Sequence, residues 1–161
     1  MEEHLLERLR ARRPSIRREW ETLLRTEPVA TPLGNPDTLA HLIDRTLDEV
    51  FTALAAPAAR HGSARPCSFA TIRAACPCGR NPLLAYFLVG ERALLETLIL
   101  AQAEARDLSA TERDLGVTEL HLVLRGIARR EVRSFCSLCQ HRKAPLEAPE
   151  GATLSAAVSG R

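Results

Sequence analysis

The chain has 161 residues, 45% of them hydrophobic and 26% charged, with a formal net charge of +2. That length provides for one domain with a core of its own. So slight a positive excess is too weak by itself to imply a nucleic-acid partner.

Residues 2 to 12 read as a short charged helix that stops before Pro14. Ser15 is placed to cap a second helix, whose apolar Ile16, Trp20, Leu23 and Leu24 share one face. Arg8, Arg10, Arg12, Arg13, Arg17 and Arg18 crowd the same region. Only Trp20 supplies aromatic interleaving, and Glu7, Glu19 and Glu21 dilute the positive field, so the cluster reads as a solvated helix face. The stretch from Glu27 to Pro36 holds three prolines and Gly34-Asn35, the composition of a loop. Asp37 then opens a helix carrying Leu39, Leu42, Ile43, Leu47, Val50, Phe51 and Leu54 at helical spacing, ending near Pro57. Residues 58 to 67 form another loop, and Ser68 to Ala75 make two helical turns with Phe69 and Ile72 inward.

Asn81-Pro82 is a strong helix start, a capping residue followed by proline at the first helical position. A helix from there to Arg106 is about 37 Å long at the usual rise. Ser109 with Glu112 forms a capping box for the next helix, which runs about 40 Å to Cys136. With only Asp107 and Leu108 between them, the two helices must run antiparallel. No alternating pattern of strand length occurs. The expected class is all-α: a bundle of four longer helices plus one or two short ones, closed by a long C-terminal helical hairpin. Residues 1–142 form the single domain, and 143–161, rich in Pro, Ala, Gly, Ser and Glu, a disordered tail. Glu91, Arg92 and Glu96 interrupt the most apolar stretch, so no membrane span is expected. The N-terminus lacks a signal-peptide core, which points to the cytoplasm. The Ala-, Leu- and Arg-heavy usage suggests a GC-rich bacterial coding bias.

Four of the five cysteines fall in two close pairs, Cys76-Pro77-Cys78-Gly79 and Cys136-Ser137-Leu138-Cys139. A hairpin of nearly equal arms returns the end of its second helix to the start of its first, so the four sulfurs converge. In a reducing compartment, close pairs favour metal or redox chemistry over structural disulfides. Zinc takes about four soft ligands in a tetrahedron, and Cys76, Cys78, Cys136 and Cys139 are the candidate set, with zinc ahead of an iron–sulfur cluster. The glycine after Cys78 lets the chain bend back with its amide toward a thiolate. His141 and Cys67 are reserve ligands. Four thiolates leave no open coordination position, so such a metal is structural or sensing. Two rival readings stand beside it: a reversible dithiol–disulfide switch, and cysteines that are merely small buried apolar groups.

His41, Asp44, Asp48, Glu49, Glu91, His121 and Glu131 invite a di-iron reading, but the Glu-x-x-His motif that site requires is absent. Glu91 and Glu131, which interrupt apolar stripes, are expected to pair with arginines such as Arg92, Arg125 or Arg130. No phosphate-binding loop, nucleophile elbow or Ser/His/Asp arrangement is present, so no catalytic residue is assigned.

Between about residues 14 and 56, a helix with an inward Trp20, a Pro-rich loop and Pro36-Asp37-Thr38-Leu39 opening an amphipathic helix follow in order. That succession resembles the N-terminal sensor domains of RsbR-type stress-signalling regulators. The resemblance implies a globin-like helical input module, often dimeric and without catalytic residues, and transfers no site residue. The sequence therefore suggests a non-enzymatic regulatory module that meets a protein partner or a second copy through a helical face.

Overall fold

The computed structural model describes residues 1–26, 35–56, 69–74, 76, 78–105 and 107–139. Among them the ordered elements are helices: α1 (Glu3–Ala11), α2 (Arg13–Thr26), α3 (Pro36–Ala40), α4 (Ile43–Ala55), α5 (Phe69–Ala74), α6 (Pro82–Glu104) and α7 (Ala110–Leu138). The all-α expectation holds at this level. Cys67, His141 and the expected tail of 143–161 lie outside the described residues, as do the loop positions 27–34 and 57–68.

α6 is apolar on nearly every side and packs against α1, α2 and α7. Asn81 caps it by accepting from the Leu83 amide (3.0 Å), with Pro82 in the first turn. Ser109 and Glu112 form the capping box of α7. Three cross-helix bonds give the register of the pair: Asn81 to the Val132 carbonyl, Glu91 with Arg125, and Gln102 to the Arg113 carbonyl. The separation in sequence falls from 51 through 34 to 11 along that series, so the chains run in opposite directions.

Trp20 is fully buried and locks α2 to α6. Its indole N–H donates to the Tyr86 carbonyl (3.1 Å), its ring lies 4.9 Å from that of Tyr86, and it covers the bare backbone of Gly90. Tyr86 in turn meets Thr46 of α4 through a 2.8 Å hydroxyl pair.

Three boundaries differ from the sequence reading. α2 begins at Arg13 with Pro14 inside its first turn, where a missing N–H costs nothing, so Ser15 is not the cap. Asn35, not Asp37, caps α3, its Oδ1 accepting from the Asp37 amide at 2.9 Å. The helix expected from Asp37 onward is two helices, because the Leu42 amide turns back to the Leu39 carbonyl (3.0 Å) and breaks the four-residue ladder.

Four of the six clustered arginines, Arg8, Arg12, Arg13 and Arg17, make long-range ion pairs. Arg13 meets Asp44 and Asp48, Arg17 meets Asp44, and Arg12 meets Glu104. These pin α2 to α4 and the α1–α2 junction to the end of α6. Most partners are half-exposed, so each pair adds little stability and the set mainly fixes helix register. The Arg12 guanidinium holds the Glu104 carboxyl below its ordinary range, and Arg13 does the same for Asp48.

Candidate metal centre

The first cysteine pair follows α5. The Cys76 amide closes on the Arg73 carbonyl (3.0 Å), and the Gly79 amide closes on the Cys76 carbonyl (3.0 Å). Gly79 sits at φ +64°, the left-handed region open to glycine, and this reverses the chain into the α6 cap. The glycine amide thus serves the turn and not a thiolate, contrary to the sequence reading. The next two amides take that role: Arg80 donates to the Cys78 sulfur and Asn81 to that of Cys76.

The second pair ends α7. Cys136 is buried in its last turn, and Cys139 is the capping residue, its amide bonded to the Cys136 carbonyl at 3.3 Å. Asn81 joins the two ends. While its Oδ1 caps α6, its Nδ2 donates to the Val132 carbonyl (3.2 Å) and to Cys136 Sγ (3.4 Å).

All four sulfurs therefore gather at one end of the α6–α7 pair. Cys76 and Cys78 Sγ stand 3.6 Å apart. Cys76 also meets the thiol of Cys136, and Cys78 that of Cys139. None is in a disulfide. Burial, the leading cause, pushes the Cys76 thiol up to about 11, while the Arg80 amide chiefly draws Cys78 below its ordinary value. The pair is thus asymmetric: one protonated, buried thiol beside a half-buried sulfur inclined to ionise.

As placed, the sulfurs form a cluster in which one pair, Cys76 and Cys78, stands at hydrogen-bonding distance. Among the described residues, no group of three or more His, Cys, Asp or Glu side chains is arranged so that it could hold a metal ion. The donor chemistry can be compared with a metal site directly. Zinc–sulfur bonds near 2.3 Å set the edges of a regular tetrahedron at about 3.8 Å. The 3.6 Å Cys76–Cys78 edge is close to that length. Two amide N–H donors and the Asn81 amide group already face the sulfurs, the outer-shell pattern that stabilises thiolates around a cation.

The carboxylates and histidines behave otherwise. Asp44 and Asp48 are taken by Arg13 and Arg17, and Glu49 by Arg130. Glu91 is buried between Arg125 (2.5 Å) and His121 (3.1 Å), and Glu131 pairs with Arg130 at 3.0 Å. The expected arginine pairing of Glu91 and Glu131 is present, with Arg92 instead joined to Glu96. Desolvation, then Arg125, lowers His121 below its ordinary value against the pull of Glu91.

The sequence did not reveal an open cleft between α4, α6 and α7, lined by Leu42, Thr46, Tyr86, Phe87 and Ile127 among others. Its walls come from three separate helices, so no local pattern announces it. Among the described residues no helix is long and apolar enough to cross a membrane. Neither the protein-family models, nor the curated proteins, nor the solved structures contain a match to this chain.

Proposed function

We propose that this protein binds one metal ion, zinc ahead of an iron–sulfur cluster, through Cys76, Cys78, Cys136 and Cys139. The role is that of a cytoplasmic, non-enzymatic regulatory or interaction module, a helical bundle whose C-terminal hairpin is clasped at its open end by the metal. The observation that carries this reading is the meeting of two cysteine pairs, distant in sequence, in one sulfur cluster with amide donors aimed at it. Four thiolates would fill a tetrahedral zinc and leave no site for water, which favours a structural or sensing ion over a catalytic one. A cation there also suits the negative end of the α7 dipole, which disfavours bare thiolates. The resemblance of residues 14–56 to stress-signalling input domains supports the regulatory part.

The test is elemental analysis of protein purified with and without air, beside a Cys76→Ser/Cys78→Ser variant. One metal per chain in the parent and none in the variant is expected. Absence of stoichiometric metal from both parent preparations refutes the reading.

The asymmetry of Cys76 and Cys78 favours a second reading, a thiol redox switch. Here two neighbouring thiols give two electrons and two protons to hydrogen peroxide, yielding a disulfide and two waters. Thiol counting separates the two: a filled zinc site resists mild peroxide until a chelator is added, whereas a switch reacts at once.

A further inference from the structure

We infer that the outer stripe of α6 is a self-complementary surface on which a second copy of this chain docks antiparallel. Ala85, Leu88, Arg92, Glu96, Ile99 and Ala103 recur every three or four residues, so they share one side of the helix. That side faces away from α1, α2 and α7. Leu88 is 52% exposed, and Ile99 and its neighbour Leu100 are each 57% exposed. Single exposed apolar residues are ordinary; Leu88 and Ile99 lie on one line of one helix, with Leu100 at the far margin of the same exposed side. A helix that is apolar on nearly every side is expected to be covered on nearly every side, and among the described helices α1, α2 and α7 cover α6 elsewhere but not here.

The order of the residues along the stripe identifies the occupant. It reads alanine, leucine, arginine, glutamate, isoleucine, alanine, and turning it end over end gives the same apolar order with the two charges exchanged. A two-fold axis between Arg92 and Glu96 therefore brings Leu88 against Ile99 of the second copy, and each alanine against the opposite alanine. The same axis sets Arg92 beside Glu96 of the second copy, twice over. Like meets like in the apolar layers and opposite charges meet at the centre, which is the requirement of an isologous contact. Within one chain Arg92 and Glu96 already pair at 2.9 Å, so the charges are held together and on the surface before docking. The shallow crossing of such three-and-four-spaced stripes keeps contact along the whole helix, about 34 Å. At the width of one helix, about 10 Å, the face is about 34 by 10 Å. That is about 340 Å² per copy, below the roughly 800 Å² of a standard interface and in the range of a weak, reversible contact.

This surface names a partner for the interaction module proposed above but does not depend on the thiols. In the antiparallel dimer the two sulfur clusters lie at opposite ends, about 40 Å apart along the axis. Sedimentation equilibrium of the full chain, from about 1 to 200 µM, spans the range in which such a dimer dissociates. Arg92→Glu and Glu96→Arg each set two like-charge pairs at the centre and should weaken the dimer about tenfold or more. The Arg92→Glu/Glu96→Arg double variant restores both pairs and should return to within about threefold of the parent. Circular dichroism confirms that each variant keeps its helices. The Cys76→Ser/Cys78→Ser chain should dimerise like the parent, so loss of the metal reading leaves this result standing. A parent that stays monomeric throughout, single reversals without effect, or a double variant no better than the singles overturns the inference.

Discussion

Gly90→Ala is a one-carbon change that tests how α2 is seated on α6. Trp20 lies across the Tyr86–Gly90 turn, its N–H on the Tyr86 carbonyl at 3.1 Å and its ring over the glycine. A Cβ at position 90 would stand 2.6 Å from Trp20 Cη2 and nearer still to Cζ2 and Cε2. Carbon atoms rest about 3.5–4.0 Å apart, so the indole must retreat by about 1 Å or more. That retreat forces overpacking worth about 1–3 kcal/mol. It also strips the buried indole N–H of its acceptor, a further 1–3 kcal/mol or so. The gain in helix propensity returns only about 1 kcal/mol. The net expectation is a loss of about 3 kcal/mol, or a Tm lower by about 6–12 °C for a chain of this size. Trp20 is the single tryptophan, so urea unfolding followed by fluorescence and by circular dichroism reports the joint and the whole fold separately. Trp20→Phe/Gly90→Ala should be no less stable than Trp20→Phe alone, because the smaller ring leaves room for the methyl. A Gly90→Ala protein within about 0.5 kcal/mol of the parent would refute the seating of α2 described here.

Gly126→Ala is the control of opposite sign: nothing lies within 4 Å of its added carbon, so urea unfolding should show a gain of about 0.5–1 kcal/mol. Asn81→Ala removes a cap, a buried donor to Val132 and a donor to Cys136, and should cost about 2–3 kcal/mol by the same assay. Glu91→Gln leaves Arg125, whose side chain is 26% exposed, able to reach water, so the loss should be about 1–2 kcal/mol. His121 binds its proton less well folded than unfolded, so its contribution is fully present above the ordinary value of 6.5 and declines as pH falls below it. His121→Gln should flatten that acid-side decline in a pH series of thermal unfolding.

Much of the framework was legible because it is local. Asn81-Pro82 and Ser109 with Glu112 announce helix starts through side chains that bond amides two or three residues on, and both caps are present. The gathering of the cysteines followed from arithmetic on two helix lengths and a short connection. What was hidden is what depends on distant partners. The arginines of α1 and α2 look like a solvated face until Asp44, Asp48 and Glu104 are placed opposite them. Gly90 looks like a mild defect in a helix until an indole from α2 lies on it. The break after Ala40 depends on which carbonyl the Leu42 amide selects, and apolar spacing runs through that point without interruption.

Asn81 is where the sulfur cluster and the fold become one structure. A single buried amide side chain closes the start of α6, ties it to the Val132 carbonyl near the end of α7, and donates to Cys136 Sγ. Its own backbone amide donates to Cys76. Ionising, ligating or oxidising the thiols changes what those donors face, because a thiolate accepts far better than a thiol. Those donors belong to the cap of the central helix and reach the last turns of its neighbour. With the four thiols placed on either side of Asn81, their chemical state would become a term in how tightly α6 and α7 are held together, which is the physical content of the sensing role proposed above.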